Sequence, residues 1–330
     1  MKMKCFIVLL VCLMVSGAYA SVYPLTSGNW SDAANWSKSV VPPDSGDEIK
    51  LVGSESAETG QDFVITVNST QINYATTKID TARGSTLLVT DGYIGSGREM
   101  HIGDAGASGN GSDDGFLTIT GGTVDITGSG KLFIGYKAHA VDNAITGAKG
   151  GTVSISGGYL IGTAGRIYVA CASADGSIGK LSVTGSDAVI SMGGQMYIAN
   201  DSSSASGNTG NATVEFNVVD GDVSKIQVLE TIIDSQDEEA AVATLLVNSS
   251  GAVPTGDIVL IENTGTADVV GEFDNAAEGA QFNVGGVIMT LTYQYAAGVD
   301  EVTNDIALLI PEPATIALLS LGMFIIRRKK

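Results

Sequence analysis

Between Gly84 and Asn200, apolar residues fall at alternate positions in short pairs, and the pairs recur down the chain. Four stretches carry the pattern: GSTLLVTDGYIGSGREMHIGD (84–104), GFLTITGGTVDITGSGKLFIGY (115–136), GTVSISGGYLIGTAGRIYVAC (151–171) and GKLSVTGSDAVISMGGQMYIAN (179–200). Each begins with an apolar pair: Leu87/Val89, Leu117/Ile119, Val153/Ile155 and Leu181/Val183. A glycine turn, a second short apolar stretch and another turn lead to a closing pair: Met100/Ile102, Leu132/Ile134, Ile167/Val169 and Met196/Ile198. Alternation at period two sets one side of each strand inward. Within a unit the pairs lie 13 to 15 residues apart, whereas the step between units is 30, 36 and then 28. The variation falls after the third strand, so loops leave the structure along one edge. A fainter copy fits Val214/Phe216 followed by Ile226/Val228, and another fits Leu245/Val247 followed by Ile258/Leu260.

One unit cannot bury its inward residues, but stacked units form a continuous aliphatic column. The pattern therefore predicts an all-β chain: a parallel, right-handed β-helix or solenoid with three short strands per coil and β-rich caps. An antiparallel sandwich also has evenly spaced short strands, but it does not require strand-by-strand likeness at a period of about 30 residues. The expected organisation is an N-terminal cap over 21–60, coils over 61–230, and last coils with a C-terminal cap over 231–310, the caps hiding open strand edges. ETIIDSQDEEAA (230–241) reads as an acidic loop or short helix ahead of that cap. VVGEFDNAAEGAQFNVGGVIMTLTYQY and NDIALLI read as hairpins within it.

The 43 glycines suit many sharp corners, because glycine adopts positive φ without steric cost. The whole-chain charge of -19 includes six basic residues and Glu312 at the two ends; residues 21–310 keep 11 basic and 35 acidic side chains, a net -24. Such a surface repels phosphate backbones, so nucleic acid is not an expected partner.

Both ends carry processing features. MKMKCFIVLLVCLMVSGAYA has the parts of a secretory signal over residues 1–20: Lys2 and Lys4, an apolar run from Cys5 to Val15, and Ala18-Tyr19-Ala20, with cleavage between Ala20 and Ser21. Cys12 after Leu9-Leu10-Val11 is a weaker lipoprotein reading, since bulky Val11 sits where a small residue belongs. Cleavage after Ala20 leaves Cys171 alone, so no internal disulfide forms; its flanks mark it as a small core residue. At the other end a 13-residue apolar run, Ala314 to Ile326, stops at Arg327, Arg328, Lys329 and Lys330. It is shorter than the ~20 residues of a permanent span. The basic stop keeps the C-terminus cytoplasmic and leaves Pro311-Glu312-Pro313 outside.

Candidate chemistry is sparse. His101 sits between Met100 and Ile102 and points outward from a strand, His139 lies in a loop, and no catalytic or metal-ligand spacing joins them. Arg98, Lys131, Arg166 and Gln195 precede the closing pairs and predict a ladder of long polar side chains, read as charge compensation before sugar-acid binding. Asp104, Asn110, Asp113 and Asp114 offer oxygen ligands for calcium, although a solvated loop is the simpler account and no metal site is assigned. Sequons occur at Asn29, Asn35, Asn68, Asn110, Asn200, Asn211 and Asn248. No catalytic residue and no cofactor is assigned.

Pro311-Glu312-Pro313, the short apolar helix with Gly322, and the basic end closely resemble the PEP-CTERM sorting signal of bacterial exported proteins. The resemblance implies export in a polysaccharide-producing bacterium and recognition by an exosortase, a membrane transpeptidase that cleaves near the tripeptide. The motif is then substrate. Trp30-Ser31-Asp32-Ala33-Ala34-Asn35-Trp36 with Val41-Pro42 resembles the opening of autotransporter-type β-helix passengers. Gly271-Glu272-Phe273, Glu278-Gly279-Ala280 and Asn304-Asp305-Ile306 resemble their terminal cap, without the glycine-rich lead of its commonest form.

Together these features predict a non-enzymatic protein of the cell surface or extracellular matrix, structural or adhesive. Its expected partners are the secretion machinery, an exosortase-type enzyme and extracellular polysaccharide, with transient membrane contact through the tail. A polysaccharide lyase or hydrolase on the same scaffold is the alternative, and a calcium-dependent glycan-binding module a further one.

Overall fold

The apolar pairs of successive repeats lie directly over one another in a computed structural model of the chain. The structure describes residues 25–36, 49–51, 63–68, 71–74, 78–81, 84–104, 114–137, 150–170, 177–199, 210–233, 241–297 and 302–311. Six coils each supply one strand to three parallel sheets. Coil one comprises Val64–Val67, Gln71–Tyr74 and Lys78–Thr81; coil two Thr86–Val89, Tyr93–Ser96 and Glu99–Asp104; coil three Gly115–Ile119, Thr123–Ile126 and Lys131–Lys137. Coil four comprises Gly150–Ile155, Gly158–Gly162 and Arg166–Val169; coil five Ser177–Thr184, Ala188–Met192 and Met196–Ile198; coil six Gly210–Val219, Ile226–Val228 and Thr231–Ile233. A seventh coil contributes Val242–Ser250 and Ile258–Asn263 to the first and second sheets. The chain is a parallel β-solenoid.

Register explains the repeat. In the first sheet Ile65, Leu87, Leu117, Val153, Leu181, Val214 and Leu245 pair in one unbroken column. In the third, Ile49, Ile79, Met100, Leu132, Ile167 and Met196 do the same. All of these side chains are fully or almost fully buried. Each buried aliphatic side chain contributes roughly 1.5–3 kcal/mol, and stacking at ~4.8 Å leaves no gap between coils.

The corner between third and first strands is built the same way in four coils. Gly103, Gly135, Ala170 and Ala199 follow the closing pairs and adopt φ of 81°, 74°, 53° and 52°. In coils four and five this left-handed residue follows the last residue of the third strand, and in coils two and three it sits at a register shift beyond which Asp104 and Lys137 still pair. Segments of variable length lie between the third and first strands, whereas the other corners take only two to four residues in coils two to five. The strands of the second face are thus joined by tight turns on both sides.

Three expectations change. Ile226/Val228 and Ile258/Leu260 belong to second strands, since Ile226 pairs with Ile190 and Ile261. The third strand of coil six is Thr231–Ile233, inside the segment expected to be an acidic loop. Ile233 completes the inward column there while Thr231 replaces one apolar partner, so the alternation is visible only in register. Residues 234–240 lie outside the described residues.

Each end is closed by a different device. At the N-terminal end Trp30 and Trp36 pack edge to face at 5.0 Å, both fully buried, and Trp36 Nε1 donates to Trp30 O at 2.9 Å. Gly28–Asn29 beside them pairs with Ile65 and Thr66, and Ile49–Leu51 pairs with Ile79–Thr81. At the C-terminal end, Asn275 imitates a strand: its Oδ1 accepts from Leu245 N and its Nδ2 donates to Leu245 O. Asp274 does the same work for Ala243. Val270 pairs with the edge of Thr231–Ile233. The second sheet instead continues antiparallel through Asp305–Leu309, Val287–Tyr295 and Gln281–Val284. Asn304 and Asp305 clamp the junction: Asn304 Nδ2 donates to Gly265 O and Ala267 O, and Asp305 Oδ1 accepts from Asn263 N. No α-helix occurs among the described residues, and none of their helices is long and apolar enough to cross a membrane. The expected transmembrane run Ala314 to Ile326 lies outside them.

Candidate functional site

Outward side chains of the third sheet form a row: Asp80, His101, Phe133, Tyr168, Tyr197 and Ile232 are register partners. His101 meets Phe133 edge to face at 5.0 Å, while Phe133, Tyr168 and Tyr197 stack at 4.7 and 4.8 Å. The outward direction expected for His101 holds, yet the residue is only 2% exposed. Its Nε2 lies 3.2 Å from Glu99 Oε2 and its Nδ1 3.5 Å from Asp80 Oδ1. The rings occupy one another's faces, so this row is a second small core rather than a platform.

The charged ladder beside it differs from the expected one. Lys131 is opposite Arg166 on one side and Glu99, not Arg98, on the other. Arg98 sits in the preceding turn, where its carbonyl accepts from Lys131 N at 2.8 Å. Lys131 Nζ lies over Phe133 and Tyr168, 5.6 and 5.9 Å from the ring centroids, and the neighbouring Tyr168 side chain, against the opposing effect of burial, holds the Arg166 pKa above its ordinary value. The carbonyl of Gln195 accepts from Ile167 N at 3.1 Å. Lys131 is thus tied to the aromatic row.

On the first sheet a polar cluster links coils five, six and seven. Glu215 Oε2 accepts from Ser182 Oγ at 2.6 Å and from Lys180 Nζ at 3.0 Å. Asn217 Nδ2 donates to Ser182 Oγ and Thr184 Oγ1, and Asn248 Nδ2 to Glu215 Oε1 and Asn217 Oδ1. Burial alone would raise the Glu215 pKa, but the bonds from Ser182, Lys180 and Asn217 outweigh it and hold the carboxyl below its ordinary range. Glu262 behaves alike: burial opposes, and bonds from Lys225 and Gln227 prevail.

The second sheet carries exposed apolar side chains on its outward face. Tyr93, Thr123, Tyr159 and Val189 form one outward row. Tyr93 lies against Gly95, where a Cβ would come within 3.1 Å of its ring, and its hydroxyl donates to Asp125 Oδ2 at 2.7 Å. Burial, then that bond, pushes the Tyr93 pKa up to about 12. Tyr159 is 50% exposed and Val189 42%. Past Val189 the face opens into a groove of about 460 Å³, lined among others by Ile190, Asp222, Lys225, Gln227 and Asp257. The groove arises because the corner between first and second strands lengthens in coils six and seven. Sequence reasoning missed both Tyr93 and Tyr159, although each follows a glycine corner at the same point of its repeat.

Of the four oxygen-bearing residues weighed for calcium, only the Asp114 side chain is among the described residues. Asp114 Oδ1 accepts from Gly150 N at 2.8 Å, tying coil three to coil four, while Asn110 and Asp113 lie outside the described residues. Among the described residues, no group of three or more His, Cys, Asp or Glu could hold a metal ion. Of the sorting motif, Pro311 is exposed two residues past the end of Asp305–Leu309, and the intervening Ile310 N–H donates to Asp257 Oδ1 at 2.8 Å. Ala20, Ser21, Glu312, Pro313, the basic stop Arg327 to Lys330, Cys171 and His139 lie outside the described residues. No protein-family model, curated protein or solved structure matches this chain.

Proposed function

We propose that the chain is a non-enzymatic, exported protein of the cell surface or extracellular matrix, structural or adhesive in role. In this reading residues 1–20 direct export, a short transmembrane helix over 314–326 holds the precursor in the membrane, and an exosortase-type enzyme processes it near Pro311-Glu312-Pro313. The coils wind right-handed, and extracellular polysaccharide is the partner.

The observation that carries the structural role is where the polar side chains go. Glu215, Asn217, Asn248 and Glu262 are spent on bonds from coil to coil. Bridging groups of this kind stiffen a stack whose coils each touch only their neighbours. The sorting step is supported by the exposed Pro311, separated by Ile310 alone from a strand paired on both sides. Deleting residues 311–330 and fractionating cells and medium tests the reading. The truncated protein is expected to leave the surface fraction; an unchanged distribution would sink the sorting proposal.

A further inference from the structure

We propose that the outward face of the second sheet binds an extended, neutral polysaccharide lying along the solenoid axis, with Tyr93 and Tyr159 as stacking rings and the groove beyond Val189 receiving the end of the bound stretch. The ligand class rests on the polysaccharide partner of the reading above; the site and the charge of the ligand are new.

The geometry comes from register. Tyr93 and Tyr159 both pair with Thr123, so the two rings sit two strand spacings apart, roughly 9.6 Å. An extended β-1,4-linked glycan turns the same ring face to a surface at every second sugar, a repeat comparable to that spacing. Tyr93 is held against Gly95 by its bond to Asp125, which pre-organises it. Tyrosine suits the task because it offers an apolar face and a polar tip at low entropy cost. A second row runs beside the rings, polar except at Ile161: Asp125 is adjacent to Ile161, which pairs with Ser191, and Ser191 with Gln227. The Ser191 hydroxyl, with the second carboxylate oxygen of Asp125 and the carbonyl of the Gln227 amide, supplies a donor and acceptors for sugar hydroxyls.

Charge decides between neutral and acidic glycans. Residues 21–310 carry a net -24, so a polyanion is repelled at long range. Lys225, the cation lining the groove, is already paired with Glu262, and Asp222 and Asp257 line the same groove. A sugar acid finds no free positive charge among these groups. The track is also flat, because two- to four-residue turns flank its strands in coils two to five.

The test is native affinity electrophoresis of the purified full-length protein in gels containing hydroxyethylcellulose, galactomannan or xyloglucan, with alginate as the acidic counterpart. Retardation by at least one neutral polymer and none by alginate is expected. Tyr159→Ala should weaken that retardation about fivefold, and Tyr159→Phe should keep it. Thermal unfolding of both variants checks that this exposed position leaves the fold intact. The proposal is overturned by no retardation in any neutral gel, by equal retardation of Tyr159→Ala and the parent, or by stronger retardation in alginate. Sorting through the tail is read independently by the 311–330 deletion, so either idea can fail alone.

Discussion

Gly135 and Ala170 occupy the same corner of neighbouring coils, both left-handed, yet they answer different steric demands. A Cβ built on Gly135 would collide with the backbone of Ile178, whereas Ala170 already carries one and is 2% exposed. Left-handed φ costs an L-residue roughly 1–2 kcal/mol, and a backbone collision adds to it. Gly135→Ala should therefore lower stability by more than about 2 kcal/mol. Ala170→Gly should stay within about 1 kcal/mol, because relief of strain offsets the lost methyl and the added chain entropy. Chemical denaturation of the two variants measures the contrast, and equal effects would refute the collision. At this scale the sequence shows glycine at the corners, but which glycine is obligatory depends on the backbone that stacks above it.

Strands and the bonds between them were legible to different depths. The inward pairs were readable because alternation is a property of one strand. The closing strand of coil six was not, since a longer first-to-second corner moves every later residue along the chain. The Phe133, Tyr168 and Tyr197 stack was hidden for another reason: residues facing away from the core read as solvated, and their burial depends on the neighbouring coil. The Glu215 cluster follows the same rule and brings a pH dependence. Its folded pKa lies below the ordinary 4.5, so the folded state binds fewer protons there than the unfolded chain. The stabilisation is complete above about pH 4.5 and is lost as pH falls through the lower folded value. Glu262 adds the same sign. Unfolding midpoints between pH 6 and pH 3, roughly the carboxylate range, should decline in the parent and decline less in Glu215→Gln.

For the whole molecule, stability should scale with the number of coils, because each contacts only its neighbours. Removing residues 151–178 takes out one full repeat: Gly151 pairs with Gly179, so Gly150 then runs directly into Gly179 in the same register. The shortened protein is expected to keep its β-sheet circular dichroism and to unfold cooperatively at a lower denaturant midpoint. Loss of folded structure would mean that the coils are not interchangeable. The caps limit how far such editing extends, since Asp274 and Asn275 pair specifically with Ala243 and Leu245.

The three-strand coil, the inward columns and the edge from which loops emerge all follow from local alternation and from where insertions are tolerated, both legible along the chain. What the outward residues do emerged from the wound coils instead. Winding stacked His101 on Phe133, tied Glu215 into three coils, closed the first sheet with an asparagine side chain, and set Tyr93 and Tyr159 two strands apart on an open face. An inward residue has one environment, the core, whatever its register. An outward residue takes its environment from the coil laid beside it, and that pairing exists only once the chain has wound.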